Sequence, residues 1–160
     1  MSLVIREPPA GLCTRRMRLL TALADAIVPA TDAPGAVAAG VIESLAKWTA
    51  AAPPQLRDEF IAALDALEEW GVNRVGTSLT DMPAPERVTL LRQLTHRSRG
   101  LPLAEESRAA AHALQRVKMS VSSAYYATET GMRALGWQGP RAHQSCSCHG
   151  CSHTGGRHER

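Results

Sequence analysis

Leu19–Ala36 reads LLTALADAIVPATDAPGA, an amphipathic run that drives straight into a turn. Leu19, Leu20, Leu23, Ala24 and Ile27 recur at spacings of three and four, so they share one face of a helix. Pro29 and Pro34 stop that helix and stiffen its exit, and Gly35 lets the chain reverse before a second helix begins. The spacing predicts a first helix over residues 14–29, with Thr14 as its cap.

The same reading extends along the chain. A second helix is expected from Ala36, with Val37, Val41, Leu45 and Trp48 as its stripe, ending at the break Ala52–Pro54. Pro53 or Pro54 fits the first turn of a third helix, where a missing amide donor costs nothing. That helix is expected to pack Leu56, Phe60, Leu64 and Leu67 inward and to turn Asp58, Glu59, Asp65, Glu68 and Glu69 to solvent. Gly71–Pro85 reads as irregular. Val88, Leu91 and Leu94 mark a fourth helix, and a polar link at His96–Gly100 leads to a fifth. In the fifth, Ala110, Leu114, Val117, Val121 and Tyr125 form the longest clean stripe in the chain. A short helix follows from Thr128 to Leu135, with Gly136 as its stop. No run of alternating residues is long enough to demand a strand. The expected fold is all-α: one compact domain of five to six helices over residues 14–140. An N-terminal extension (1–13) precedes it, and a flexible Cys/His-rich C-terminal tail (141–160) follows.

Composition agrees. The 160 residues suffice for one domain with a real core. Ala is abundant and aromatics are few: Trp48, Phe60, Trp70, Tyr125, Tyr126 and Trp137. Residues 1–140 carry 15 Lys+Arg against 14 Asp+Glu, so the body is nearly neutral. No basic face capable of neutralising many phosphates is present, and nucleic acid is not an expected partner. No run approaches the roughly 20 apolar residues of a bilayer-spanning helix. Arg15-Arg16 ahead of an apolar stretch has the look of a twin-arginine export signal. Arg18 and Asp25 interrupt that stretch, however, and no small-residue cleavage site follows. The pair therefore reads as the exposed first turn of the first helix, and the expected compartment is the cytoplasm.

No catalytic constellation emerges. Adjacent carboxylates such as Glu68-Glu69 or Glu105-Glu106 diverge by about 100° on a helix and cannot flank one bond; both pairs read as solvated surface charge. His112 lies one position off the stripe of the fifth helix, and Ser120, Ser122 and Ser123 have no histidine–carboxylate partner in view. No phosphate-cradling glycine loop occurs, so neither a flavin nor a nicotinamide is expected in this chain.

The tail RAHQSCSCHGCSHTGGRHER is the one stretch dense in metal-binding side chains. Its spacing departs from CxxCH, which disfavours covalent haem. Cys146, Cys148, Cys151 and His153 offer three thiolates and an imidazole, enough for a tetrahedral zinc site. An iron–sulfur cluster there needs a ligand from elsewhere. A disordered, merely metal-avid tail is the foremost reading, with a specific metal site and then disulfide use as the alternatives, and Cys13 stands alone near the other end.

Two patches carry a resemblance. ADAIVPATDAPGA at Ala24–Ala36 joins a helix ending in an Ile/Val-Pro pair to an acidic Pro-Gly turn. Tyr125–Gly139 joins paired aromatics, the Thr128-Glu129 element and the Leu135-Gly136-Trp137-Gln138-Gly139 ending. In both, the chain resembles the small, third subunit of gluconate 2-dehydrogenase and its relatives, over roughly Thr14–Pro140. The resemblance implies a non-catalytic companion that stabilises, matures or escorts a large flavoprotein of the glucose-methanol-choline type. That partner carries FAD and oxidises a hydroxyl of a sugar, sugar acid or related alcohol. Electrons then leave through a cytochrome c subunit or another acceptor, not through this chain. Members of the family often bear an export leader, so a periplasmic complex exported together is the alternative compartment. The Cys/His tail is a departure from the family pattern. Tyr125, Tyr126 and Trp137 are the candidate interface anchors, with core packing at the junction of the last two helices as the other role open to them. Rival readings are a stand-alone metal-binding or metal-delivery protein acting through the tail, and a helical enzyme with an unrecognised site.

Overall fold

A computed structural model describes residues 12–97 and 104–139. Six helices occupy them: α1 (Thr14–Ile27), α2 (Val41–Ala51), α3 (Pro54–Val75), α4 (Ala84–Arg97), α5 (Glu105–Tyr126) and α6 (Glu129–Ala134). The all-α expectation holds, and no strand occurs among the described residues. The extension before Leu12 and the tail from residue 140 lie outside them.

Helices α3 and α5, each 22 residues and so about 33 Å long, form the most extensive helix pair, and α5 also touches α1, α2, α4 and α6. The reason lies in its stripe. Ala110, Leu114, Val117, Val121 and Tyr125 are all buried, a row of apolar side chains running the length of the helix. Phe60, Leu64 and Leu67 of α3 meet it from one side. Leu19, Leu20, Leu23 and Ala24 of α1 and Val41, Ile42, Leu45 and Ala46 of α2 complete the core, with Leu91 and Leu94 of α4. Burying one such leucine contributes roughly 1.5–3 kcal/mol, so a shared row of them outweighs any surface ion pair in the molecule.

The local signals act partly as expected. Pro54 occupies the first turn of α3, and Gly76 ends the helix with φ 76°, a left-handed conformation that glycine adopts without strain. Helix α1 starts at Thr14, but Cys13 holds the cap position and no side chain caps the helix there. Its end comes at Ile27, because Pro29 cannot extend the bonding pattern.

Several expectations need correction. The second helix begins at Val41 rather than Ala36. Residues 36–40 make one turn that closes on Gly40 at φ 77°, with Val41 N–H bonded to Ala36 O at 3.1 Å and Gly40 N–H to Val37 O at 3.2 Å. That pattern terminates a helix, so α2 has to start afresh. Val37 is left outside it and exposed, and Leu56 is exposed in the first turn of α3. Trp48 is 40% exposed, its ring in a T-shaped contact with Phe60, the two centroids 5.7 Å apart at 88°. Helix α3 continues to Val75, through the start of the segment read as irregular, and α4 continues to Arg97, so His96 is helical rather than part of a link.

The largest correction concerns Glu68. It is buried, not a solvated charge. Four residues after Leu64, it falls on the apolar face of α3, where the loop before α4 folds back over it. Its carboxylate accepts the Ser78 hydroxyl at 2.5 Å and the Leu79 amide at 3.2 Å, and Arg15 of α1 stands 3.6 Å away. From the other side, Arg87 Nη1 of α4 donates to the carbonyls of Leu79 and Met82 at 2.9 and 3.0 Å. Gly71 makes room for Leu79: a Cβ there would lie 2.6 Å from Leu79 Cγ. An acid and a base thus pin one fully buried leucine and its backbone between two helices.

Substituting Glu68 by Ala leaves the Leu79 amide without its acceptor. We expect a loss of about 1–3 kcal/mol in denaturant unfolding, against less than about 0.5 kcal/mol for Glu69→Ala on the neighbouring exposed position. Equal effects from the two variants would refute the pinning role.

Candidate functional site

The two sequence patches that stand out, Ala24–Ala36 and Tyr125–Gly139, meet in space. The turn after α1 folds on itself through the Ala36 amide, which donates to Val28 O at 2.9 Å. Gly35 is buried inside this turn, where a Cβ would sit 2.6 Å from Ala30 N and 2.8 Å from Val28 O. Only glycine fits so close to backbone. The closed turn presents the Pro34 carbonyl to α5, and the Tyr125 hydroxyl donates to it at 3.0 Å. One hydrogen bond thus joins the two patches across 91 residues.

Beyond Tyr125 the chain makes a tight exit. The Tyr125 carbonyl accepts from both the amide and the hydroxyl of Thr128, at 2.9 and 2.6 Å. The Thr128 hydroxyl in turn accepts from the Gly131 amide at 3.0 Å, capping α6. Gly131 is buried against the end of α5, and a Cβ there would run into the Tyr125 carbonyl. Helix α6 closes with Trp137 N–H on Met132 O (3.1 Å) and Gly136 N–H on Arg133 O (2.9 Å), Gly136 taking φ 85°. This is the Schellman arrangement. The Thr-Glu element and the Leu-Gly-Trp ending are therefore the two caps of one short helix.

These caps sort the three sequence-chosen aromatics. Tyr125 points inward, buried, with its hydroxyl committed to Pro34. Tyr126 is 45% exposed, its ring edge-on to Tyr125 at 5.3 Å. Trp137 is 39% exposed and faces outward at the end of α6. Leu135, between them in sequence, is exposed as well. The structure brings these side chains to the end of the molecule where α5 hands over to α6.

A second surface, along the α1/α3 seam, is polar. Arg16 makes a two-pronged contact with Asp65, at 2.9 and 2.7 Å. The Asp65 hydrogen bond holds the Arg16 guanidinium above its ordinary pKa, against the opposing effect of partial burial. Arg15 leans toward Glu68 and Arg18 toward Asp81 at 3.7 Å. Two neighbouring clefts, of about 450 and 370 Å³, share Arg15, Glu68 and Val72. Charges of both signs already answer one another there, so the seam clamps α1 to α3.

Among the described residues, no three of His, Cys, Asp and Glu are placed to hold a metal ion. Cys146, Cys148, Cys151 and His153 lie outside those residues, and Cys13 is a free thiol on the surface. His112 is exposed on the outer face of α5. No helix among the described residues is long and apolar enough to cross a membrane.

The body is all-helical, and Glu68, Tyr125 and Thr128 commit their polar groups to its own turns and caps. Residues 14–139, the whole helical body, match the family model described as gluconate 2-dehydrogenase subunit 3, and the chain belongs to that family. It is accordingly a small accessory subunit with no catalytic activity of its own. No curated protein and no solved structure matches it.

Two substitutions probe the junction. Gly131→Ala, which raises helix propensity in an ordinary helix by about 1 kcal/mol, is expected to destabilise here by roughly 1–3 kcal/mol, because the methyl group meets backbone. Tyr125→Phe keeps the ring and loses the hydroxyl, for an expected cost of about 1 kcal/mol. Equilibrium unfolding in urea measures both, and a stabilised Gly131→Ala protein would contradict the close approach.

Proposed function

We propose that this chain binds a large FAD-dependent dehydrogenase subunit of the glucose-methanol-choline type and holds it in a stable, active form. The observation that carries the reading is the family match over residues 14–139, which takes in every helix of the body. Two features support it. Tyr126, at the end of α5, and Trp137, just past α6, are exposed aromatics, and such side chains supply much of the energy of protein–protein contacts. The polar side chains of Glu68, Tyr125 and Thr128 serve turns and caps of the body itself.

In this reading the flavoprotein oxidises a hydroxyl of a sugar, sugar acid or related alcohol. Electrons pass from its FAD to a cytochrome c subunit or another acceptor. This chain contributes shape and stability rather than a redox group. The pair works in the cytoplasm, with export of the assembled complex to the periplasm as the alternative.

Tagged protein recovered under native conditions from its own cells provides the test, with an absorbance spectrum of what elutes beside it. A stoichiometric large polypeptide with flavin absorption is expected. Recovery of the chain alone and colourless, from cells that express the flavoprotein, would overturn the reading.

A further inference from the structure

Helix α5 changes character half-way along. Its first half carries charge on the outer face, with Glu105, Glu106, Arg108 and Arg116 exposed. From Met119 to Thr128 there is no charged residue at all. Yet this second half is not enclosed: Met119 is 62% exposed, and Ser123 and Tyr126 are exposed on the same face, four and seven residues on. A solvent-facing helix surface ordinarily carries the charges that the buried face cannot. Here they are missing along a stretch that includes the part of α5 facing α2.

Between the two helices runs a groove of about 440 Å³. Trp48 and Met119 form its walls with Leu45, and Ser44, Ser120, Ser123 and Ala124 are its small, neutral remainder. Trp48 is steadied by its edge-on contact with Phe60, which is itself buried, so that wall is set before anything binds. Met119 is unbranched and polarisable and adapts to the shape of a visitor. The four small side chains admit a bulky group, and three of them offer hydroxyls.

We propose that this α2/α5 groove receives an uncharged, apolar segment of the flavoprotein subunit, which inserts a large aliphatic or aromatic side chain between Trp48 and Met119. This deepens the accessory-subunit reading and rests on it. Charge complementarity selects the occupant. A charged segment entering the groove would lose its hydration and find no counter-charge on any lining residue, whereas an uncharged one gains apolar contact and three hydroxyl partners. The α1/α3 seam, with its charges already paired, is the opposite kind of surface. Membership in a family of enzyme subunits makes the occupant a different polypeptide rather than a second copy of this one.

The test uses the full chain co-expressed with the flavoprotein that co-elutes with it. Ser123→Glu and Met119→Glu place a charge in the groove at exposed positions, and His112→Glu places one on the charged half of the same helix as control. Far-UV circular dichroism and urea unfolding establish that each variant folds. We expect Ser123→Glu and Met119→Glu to lower flavoprotein capture at least tenfold and His112→Glu to leave it unchanged. A photo-crosslinking residue at position 123 should attach to the flavoprotein within an uncharged stretch. Full capture by both groove variants would overturn the groove while leaving the accessory role intact. Failure of the wild-type chain to capture the flavoprotein would overturn both. A wild-type dimer in sedimentation, made monomeric by Ser123→Glu, would assign the groove to a second copy and refute the occupant proposed.

Discussion

One helix has to be shared by all the others. Among the described residues, α5 is the one helix that α1, α2, α3, α4 and α6 all touch. The core is therefore an arrangement around an axis, with α3 as the chief partner. Apolar burial supplies the stabilisation, and its non-directional character lets five helices of different lengths use the same row of side chains. What it cannot supply is orientation. That comes from a few directional contacts at the ends: the Arg16–Asp65 pair, the Glu68–Leu79 hydrogen bond and the Tyr125–Pro34 hydrogen bond. Each is modest in energy, and each fixes an angle or register that burial alone leaves free.

Much of this arrangement was legible in the sequence, because helices announce themselves locally. The stripe of α5 is read correctly at all five positions, and that of α3 at Phe60, Leu64 and Leu67. The differences have separate causes. Glu68 falls on the apolar period but carries a charge, so its position and its residue type point opposite ways. Its burial depends on a loop that returns ten residues later with a hydroxyl and an amide, which no local window contains. Trp48 and Leu56 obey the period of their helices and are nonetheless exposed, because periodicity tells which residues share a face and not how far a neighbouring helix covers it. A single glycine such as Gly40 carries no local signal of its role, although its left-handed conformation decides where α2 begins.

The site was legible only in fragments. Two patches stood out as unusual strings, and their meeting through Tyr125 and Pro34 is a property of the fold alone. Tyr125 and Tyr126 are neighbours about 100° apart on a helix, so one serves the core and the other the surface. A pair of adjacent aromatics cannot say which does which. The neutral half of α5 was visible in the sequence as a run free of charge. Its significance needed the helix to be placed, since the same run inside a core would be unremarkable chemistry. The cysteine- and histidine-rich stretch read as a tail lies outside the described residues.

The bond from Tyr125 to Pro34 bears on how the protein comes into being. Chains are made from the N-terminus, and α1, the Pro-Gly turn and α2 emerge long before residue 125 is added. Until then the turn has no donor for the Pro34 carbonyl, and the apolar faces of α1 to α3 lack the helix that covers them. Most contacts in a helical domain are close in sequence and form quickly, yet this domain can close only when its synthesis is nearly complete. A chain cut short before α5 would retain the four helices α1 to α4 without the helix they all pack against, leaving it a target for aggregation or proteolysis rather than a smaller working version of the subunit.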